Sequence, residues 1–179
     1  MHKLTGKQVA IKLYDRTKFM RDAAMMRQLK REEKLMATLN HPNVTKLFET
    51  FETARRSYIV MEFCAGGNLI DYMRKKYAGQ AMPEAQARAL FLPLFRGLKH
   101  MHDLNIVHRD IKLDNILINE PLGRGGVSGV PKCLKLMDLG FSIQLSDREQ
   151  HRLKLFCGTP AYMAPEILRG HSYRGPNHI

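Results

Sequence analysis

Three short stretches near the start of the chain alternate between apolar and polar residues, a pattern typical of β-strands. They cover residues 9–14, 44–51 and 57–63. In the first, a period of two places Lys12 on the same face as Ala10 and Tyr14, opposite three aliphatic side chains. The pattern therefore predicts a small sheet that carries a lysine on one face.

Between the first two strands, residues 21–39 repeat apolar side chains at the spacing of an amphipathic helix. The apolar positions are Met25, Leu29, Met36 and Leu39. Glu32 falls in step between them, so this carboxylate is predicted to face the core. A buried charge without a partner is costly, and we therefore predict that Glu32 pairs with a cation.

After Gly66-Gly67 the pattern is mostly helical as far as Ile106. We place a boundary near residues 62–68, which divides the chain into a sheet-rich unit, 1–63, and a helical unit, 64–179. Residues 84–102 predict one helix with Pro93 inside it. Proline lacks the N–H that would bond to the carbonyl four residues earlier, so we predict a kink there.

Composition and charge narrow the class of protein. Of the 179 residues 44% are hydrophobic, which is ordinary for a globular chain, and no apolar run approaches the ~20 residues that span a bilayer. The net charge of +12 permits a nucleic acid, an anionic membrane or a phosphate-bearing ligand as partner, but the basic residues are scattered, which favours a solvated basic surface. Three cysteines without C-x-x-C spacing argue against a disulfide framework or a zinc site, and no N-terminal segment resembles a secretory signal. We therefore expect a reducing, intracellular setting.

A glycine-rich segment at residues 120–130 follows an apolar run and could be mistaken for a phosphate-binding loop. A dinucleotide site needs a helix directly after the glycines, whereas Pro131 and another strand-like run follow here. We therefore predict an extended hairpin loop.

The residues that suggest chemistry lie in three separated motifs. They are His108-Arg109-Asp110-Ile111-Lys112-Leu113-Asp114-Asn115, Asp138-Leu139-Gly140 and Ala164-Pro165-Glu166. Any one of these motifs could occur by chance. All three in this order, downstream of Lys12 and Glu32, are very unlikely to do so. The chain resembles the eukaryotic protein kinase family over nearly its whole length. The segment Phe156 to Glu166 is most similar to the calcium/calmodulin-dependent and AMP-activated branch.

The resemblance implies an α+β fold with two lobes, and a transfer of the γ-phosphoryl group from Mg-ATP to a protein. By resemblance, Lys12 holds the α- and β-phosphates and pairs with Glu32. Asn115 and Asp138 supply oxygen ligands to Mg²⁺, a cation that prefers hard oxygens.

The resemblance also assigns roles around the transferred group. Asp110 accepts or orients the proton of the substrate hydroxyl, and Lys112 offsets charge on the phosphoryl group. Lys112 and Thr159 are similar to the residues of serine/threonine kinases, with Thr159 bonded near Asp110.

An adenine pocket is implied by five further positions. Met61 matches the residue at the rear of the pocket, and the backbone of Glu62 and Cys64 matches the hinge that bonds the purine. Ala10 and Leu117 match the apolar pair on either side of it; simple core packing would also explain both residues, and the two readings can hold together.

Several positions depart from the family pattern. No glycine-rich loop precedes the Lys12 strand, and the family continues into more helices beyond Pro176, so we expect a domain truncated at both ends and weak activity of the 179-residue chain itself. Leu139 replaces the usual phenylalanine, and Leu155 stands at the usual activating threonine. Asn68 replaces a glutamate that contacts ribose, and it could simply cap the next helix.

Two readings of function remain open from the sequence. The first is an ATP-dependent serine/threonine kinase domain whose substrate is a protein; the alternative is a catalytically inactive, kinase-like binding or scaffold module. We expect a regulatory domain or subunit outside this chain, no nucleic acid or membrane as partner, and a cytoplasmic location, with the nucleus left open.

Overall fold

The computed structural model describes residues 6–19, 22–120, 130–131, 133–146, 153 and 156–173. Parts of the sequence analysis lie outside these ranges: Arg21, most of the glycine-rich segment, Leu155 and Pro176. Within them the chain forms seven strands and five α-helices. The strands are β1 (Val9–Asp15), β2 (Leu47–Glu52), β3 (Arg56–Glu62), β4 (Ile106–Val107), β5 (Ile116–Ile118), β6 (Leu134–Leu136) and β7 (Ile143–Gln144). The helices are α1 (Arg16–Phe19), α2 (Ala23–Thr38), α3 (Leu69–Tyr77), α4 (Glu84–Asp103) and α5 (Pro165–Leu168).

The first three strands form one antiparallel sheet with β3 in the centre. Lys12 of β1 lies opposite Ile59 of β3 in the register. The sheet confirms the predicted alternation, but the more aliphatic face of β1 is the outer one: Ile11 is 54% and Leu13 48% exposed. Ala10 and Tyr14 pack against the core instead, so the face that carries Lys12 is turned inward.

Helix α2 crosses this inner face. Asp22 caps its first turn by accepting hydrogen bonds from the N–H groups of Ala24 and Met25 at 2.9 and 3.2 Å. Its buried side chains include Leu29, Glu32 and Met36, as the sequence predicts. The prediction is wrong for Met25, which is 43% exposed.

The second half of the chain is built on α3 and α4, with two small sheets beside them. Strand β4 pairs with β7 and β5 pairs with β6, both antiparallel, and α4 packs against β6. Asn68 caps α3, since its side-chain oxygen accepts the N–H of Asp71 at 2.8 Å. The capping role proposed for Asn68 from the sequence is therefore confirmed.

One hydrophobic core joins both halves of the chain. It contains aliphatic residues of α2 and β3 together with residues of α3, α4, β5 and β6. The exact division into residues 1–63 and 64–179 stays a prediction, because the core continues across it. Among the described residues, no helix combines the length and apolar content that a membrane span requires.

Helix α4 runs without interruption through Pro93, as the sequence predicts for residues 84–102. Leu90, Leu94 and Met101 form its buried face. Ala89, whose carbonyl would have received the missing N–H of Pro93, is exposed, so water can bond to that carbonyl. The kink at Pro93 stays a prediction.

Replacing Pro93 with glutamine should stabilise the domain, because a proline inside a regular helix costs up to about 3 kcal/mol. The melting temperature of Pro93→Gln should therefore rise above that of the wild type. Arg96→Gln, an exposed change on the same helix, is the matched control and should leave it nearly unchanged. A lower melting temperature for Pro93→Gln would show that the helix is adapted to the proline.

Candidate functional site

The ammonium group of Lys12 joins three parts of the chain. Its Nζ lies 2.7 Å from Oε1 of Glu32 on α2 and 2.7 Å from Oδ1 of Asp138, which follows β6. The cationic partner that the sequence analysis predicted for Glu32 is therefore present in the structure. One strand, one helix and one loop meet at a single charge.

The three groups differ in exposure. Glu32 is 2% exposed, whereas the side chains of Lys12 and Asp138 are each about one-third exposed. Burial acts to lower the pKa of Lys12, but the charge of Glu32 and the hydrogen bonds to Asp138 and Glu32 outweigh it, so the net shift is upward. Lys12 is therefore a permanent cation at neutral pH.

Three further hydrogen bonds surround the side chains of Lys12, Glu32 and Asp138. The hydroxyl of Tyr14 donates to Oε2 of Glu32 at 2.7 Å. The side-chain amide of Gln28, one turn before Glu32 on α2, donates to the carbonyl of Gly140 at 2.8 Å. Asp138 itself has a left-handed backbone, with φ of 63°, and its carboxylate accepts the N–H of Gly140 at 3.4 Å.

A second cluster forms around Asp110 in the loop between β4 and β5. Its Oδ1 accepts a hydrogen bond from the hydroxyl of Thr159 at 2.7 Å, and its Oδ2 accepts one from the amide of Asn115 at 2.9 Å. The Nζ of Lys112 lies 3.0 Å from Oδ2 of Asp110 and donates to Thr159 Oγ1 at 2.8 Å. The four side chains thus form one closed network.

The network keeps Asp110 ionised. Burial acts to raise the pKa of this carboxyl group, but the hydrogen bonds from Thr159 and Lys112 and the charge of Lys112 act more strongly in the other direction. The pKa of Asp110 therefore lies below its usual value.

The backbone of this loop is anchored by a buried histidine. Nε2 of His108 lies 3.0 Å from the carbonyl of Met137, and its Nδ1 accepts the N–H of Asp110 at 3.3 Å. Burial lowers the pKa of His108, so the ring is neutral, with Nε2 as the donor and Nδ1 as the acceptor. Arg109, which lies between His108 and Asp110, has a left-handed backbone with φ of 66°. This turn precedes Asp110, whose carboxylate contacts Thr159.

Thr159 reaches Asp110 because a glycine precedes it. Gly158 has φ of 106°, and a Cβ atom there would lie 2.5 Å from the carbonyl oxygen of Arg109. A side chain would therefore push the two segments apart.

The two clusters lie next to each other. The N–H of Met137 donates to the carbonyl of Asn115 at 3.0 Å, which fixes the loop that carries Asp138 beside the loop that carries Asp110. Among the described residues, no group of three or more His, Cys, Asp or Glu side chains forms a metal cluster. Asn115 and Asp138 lie on these two adjacent loops, and each has a side-chain oxygen of the kind that a hard cation prefers as a ligand. The pair therefore fits such a cation, with its other ligands coming from outside the pair.

The five residues expected around an adenine lie on β1, on β3, directly after β3 and on β5, and their role stays a prediction. Ala10 lies opposite Met61 in the sheet register, and Leu117 forms a β-bridge with Asn68. Met61 lines a cavity of about 20 Å³ behind the Lys12–Glu32 pair, enough for about one water molecule. Cys64 is buried, which raises the pKa of its thiol to about 11.

The side chain of Glu62 makes a contact that the sequence analysis missed. Its Oε2 lies 2.9 Å from Nζ of Lys135, which also donates to the carbonyl of Pro42 at 2.7 Å. Lys135 is 5% exposed and lies between two buried leucines of β6. A charged residue inside an apolar strand could have predicted a carboxylate partner, by the same reasoning that found one for Glu32.

Comparison with known proteins agrees with this geometry. Residues 1–178 match the family described as "Protein kinase domain". The chain is 37% identical over 177 residues to the "Hormonally up-regulated neu tumor-associated kinase" of Mus musculus, an alignment that covers 98% of this chain and 23% of that protein. It is 37% identical over 175 residues to the "Serine/threonine protein kinase OSK3" of Oryza sativa subsp. indica, covering 98% of this chain and 31% of the relative.

The chain thus spans less than a third of the length of these relatives. The family match and the two relatives confirm the resemblance to serine/threonine kinases, while the narrower calcium/calmodulin-dependent and AMP-activated branch stays a prediction. The family uses Mg-ATP and acts on proteins. The chain belongs to the protein kinase family and is a domain of the serine/threonine type.

Proposed function

We propose that this chain binds Mg-ATP and transfers its γ-phosphoryl group to a serine or threonine hydroxyl of a protein. The observation that carries the proposal is the position of two clusters side by side. Lys12 is held by Glu32 and Asp138 in one, and Asp110 is bonded to Lys112 and Thr159 in the other.

Asp110 is the proposed base. Its lowered pKa keeps it ionised at neutral pH, so it can accept a hydrogen bond from the substrate hydroxyl and then its proton. The substrate oxygen forms a bond to the γ-phosphorus while the bond from that phosphorus to the β,γ-bridging oxygen breaks, and ADP leaves. Lys112, bonded to the same carboxylate, adds positive charge next to the new bond.

Lys12, Asn115 and Asp138 are the proposed phosphate and metal ligands. Lys12 carries its charge into the cleft on an inward-facing strand and can contact the α- and β-phosphates. The amide nitrogen of Asn115 donates to Asp110, which leaves its carbonyl oxygen to join Asp138 around a cation. Mg²⁺ at these residues would neutralise phosphate charge.

The segment after β3 is the proposed adenine hinge. The N–H of Glu62 already bonds to the carbonyl of Lys46 at 2.9 Å, and the carbonyl of Cys64 receives the N–H of Gly67 at 3.5 Å. We therefore assign the carbonyl of Glu62 and the N–H of Cys64 to the purine, between Ala10 and Leu117.

The same proposal covers the substrate, the regulator and the cellular location of the domain. A protein with an accessible serine or threonine is the substrate, and a regulatory domain or subunit acts from outside this chain. The three cysteines are free, which supports a cytoplasmic location, where thiols stay reduced.

Asp110→Asn should remove most turnover and leave ATP binding nearly intact, because it removes the base and leaves the proposed nucleotide contacts in place. Loss of a general base lowers kcat by about 10²- to 10⁴-fold. The measurement is Mg-dependent transfer of ³²P from ATP to serine/threonine peptides by a purified version extended at both ends, because the 179-residue chain itself is expected to be weakly active, with ATP affinity from calorimetry. The matched control is Asp103→Asn, because Asp103 forms an exposed ion pair with Lys99 on α4. This variant should retain activity.

The outcomes separate the two functions considered from the sequence. Wild-type transfer that Asp110→Asn abolishes would support a kinase. ATP binding by the folded, extended version with no transfer to any peptide would instead support the binding-module alternative.

Glu32→Ala should reduce turnover by about 10- to 100-fold, because Lys12 loses the partner that aims it and small misplacements of catalytic groups have effects of this size. ATP affinity should fall less. The matched control is Glu33→Ala, since Glu33 forms a surface pair with Lys30, and such pairs contribute little. Equal rates for wild type and Glu32→Ala would contradict the role assigned to the Lys12–Glu32 pair.

A further inference from the structure

The hydroxyl of Tyr14 donates a hydrogen bond to the second oxygen of the Glu32 carboxylate. Oε1 of Glu32 faces Lys12 at 2.7 Å, and Oε2 accepts the Tyr14 hydroxyl, also at 2.7 Å. The Lys12 ammonium lies 5.4 Å from the centroid of the Tyr14 ring, so the three groups form one contact set.

We propose that Tyr14 is a positioning residue of the phosphotransfer site, whose hydroxyl fixes the direction of the Glu32 carboxylate and thereby the position of Lys12. The inference rests on the proposed function, because it concerns the aim of Lys12 at the phosphates. Tyr14 itself is not assigned any contact with substrate.

The strand geometry explains why position 14 can serve this purpose. Tyr14 is two residues after Lys12 on β1, so both side chains leave the same inner face of the sheet. They reach the same carboxylate on α2 through different oxygens. A carboxylate bonded through one oxygen can still turn about its terminal torsion, whereas bonds to both oxygens fix its plane.

The hydroxyl is a dependable donor. Burial raises the pKa of Tyr14, the hydrogen bond to Lys12 acts to lower it, and the hydrogen bond and charge of Glu32 raise it, so the net shift is upward. The phenol therefore stays protonated across the neutral range and always presents its hydrogen to Oε2.

A small cavity beside this contact determines what loss of the hydroxyl would do. The cavity has a volume of about 70 Å³ and is lined by Tyr14, Met25, Gln28, Leu29 and Glu32. Water can enter a polar space of this size and hydrate Oε2 in place of the phenol. A mobile water would keep the carboxylate solvated but would not fix its direction, so we expect a larger effect on turnover than on stability.

Tyr14→Phe removes one oxygen atom and keeps the ring, which makes it the direct test. We expect kcat to fall about tenfold, as for a lost hydrogen bond to a charged group, with KM for ATP changed less than about threefold. Tyr77→Phe is the matched control, because the Tyr77 hydroxyl donates to the neutral Gln86 side chain at the same distance of 2.7 Å, away from the site. It should leave kcat unchanged, whatever its effect on the melting temperature.

A double-mutant cycle distinguishes positioning from a general structural effect. In a Glu32→Gln background the carboxylate charge is gone, so adding Tyr14→Phe should change kcat less than about twofold. Full additivity of the two changes, or a Tyr14→Phe enzyme with wild-type kcat, would overturn the inference.

An activity-independent measurement separates this inference from the proposed function. In a ¹³C-tyrosine NMR titration, the pKa of Tyr14 should be raised in the wild type and should fall in Glu32→Gln, while that of Tyr77 should not respond. If the wild type transfers no phosphate but Tyr14 responds to Glu32→Gln, the proposed function is wrong and Tyr14 still positions Glu32. A Tyr14 that does not respond overturns the inference whether or not the protein is active.

Discussion

The charge of Lys12 is shared between two carboxylates that lie more than a hundred positions apart in the sequence, and the cleft depends on that sharing. Glu32 is buried, and a buried ion that loses its partner destabilises a protein by about 3–5 kcal/mol, somewhat less here because Lys12 is one-third exposed. Helix α2 therefore cannot move far from β1 without exposing or stranding a charge. Asp138 uses the same ammonium, so the loop after β6 is held in position by the same constraint.

The second half of the site is ordered by backbone geometry more than by charge. His108 is fully buried and bonds to both its own loop and the segment before Asp138, so the two loops are connected by one neutral ring. The left-handed conformations of Arg109 and Asp138 lie on either side of this connection. Non-glycine residues adopt this region only where the surroundings hold them, which the His108 contacts and the Met137–Asn115 bond do here.

The sequence was sufficient for most of the elements and for the cation beside Glu32, but not for the direction of faces or for the other side-chain partners. Alternation predicts β1 correctly, yet it could not tell that the more aliphatic face, with Ile11 and Leu13, is the outer one, since that depends on where α2 packs. The cation beside Glu32 follows from the energetics of burial. The contact of Tyr14 with Glu32 depends on distances across the fold, which local periodicity does not contain.

The missed contact between Tyr14 and Glu32 follows one physical rule. A carboxylate has two oxygens, and a low-dielectric interior makes each unsatisfied one costly, so one predicted partner leaves a second to be found. The two oxygens of Glu32 contact Lys12 and Tyr14, one each. In Asp110, one oxygen accepts from Thr159, and the other contacts Asn115 and Lys112. Pairing through both oxygens fixes the plane of each carboxylate as well as its charge. A site that must align a phosphate with a hydroxyl needs that orientation, and full satisfaction of its buried carboxylates is how this fold provides it.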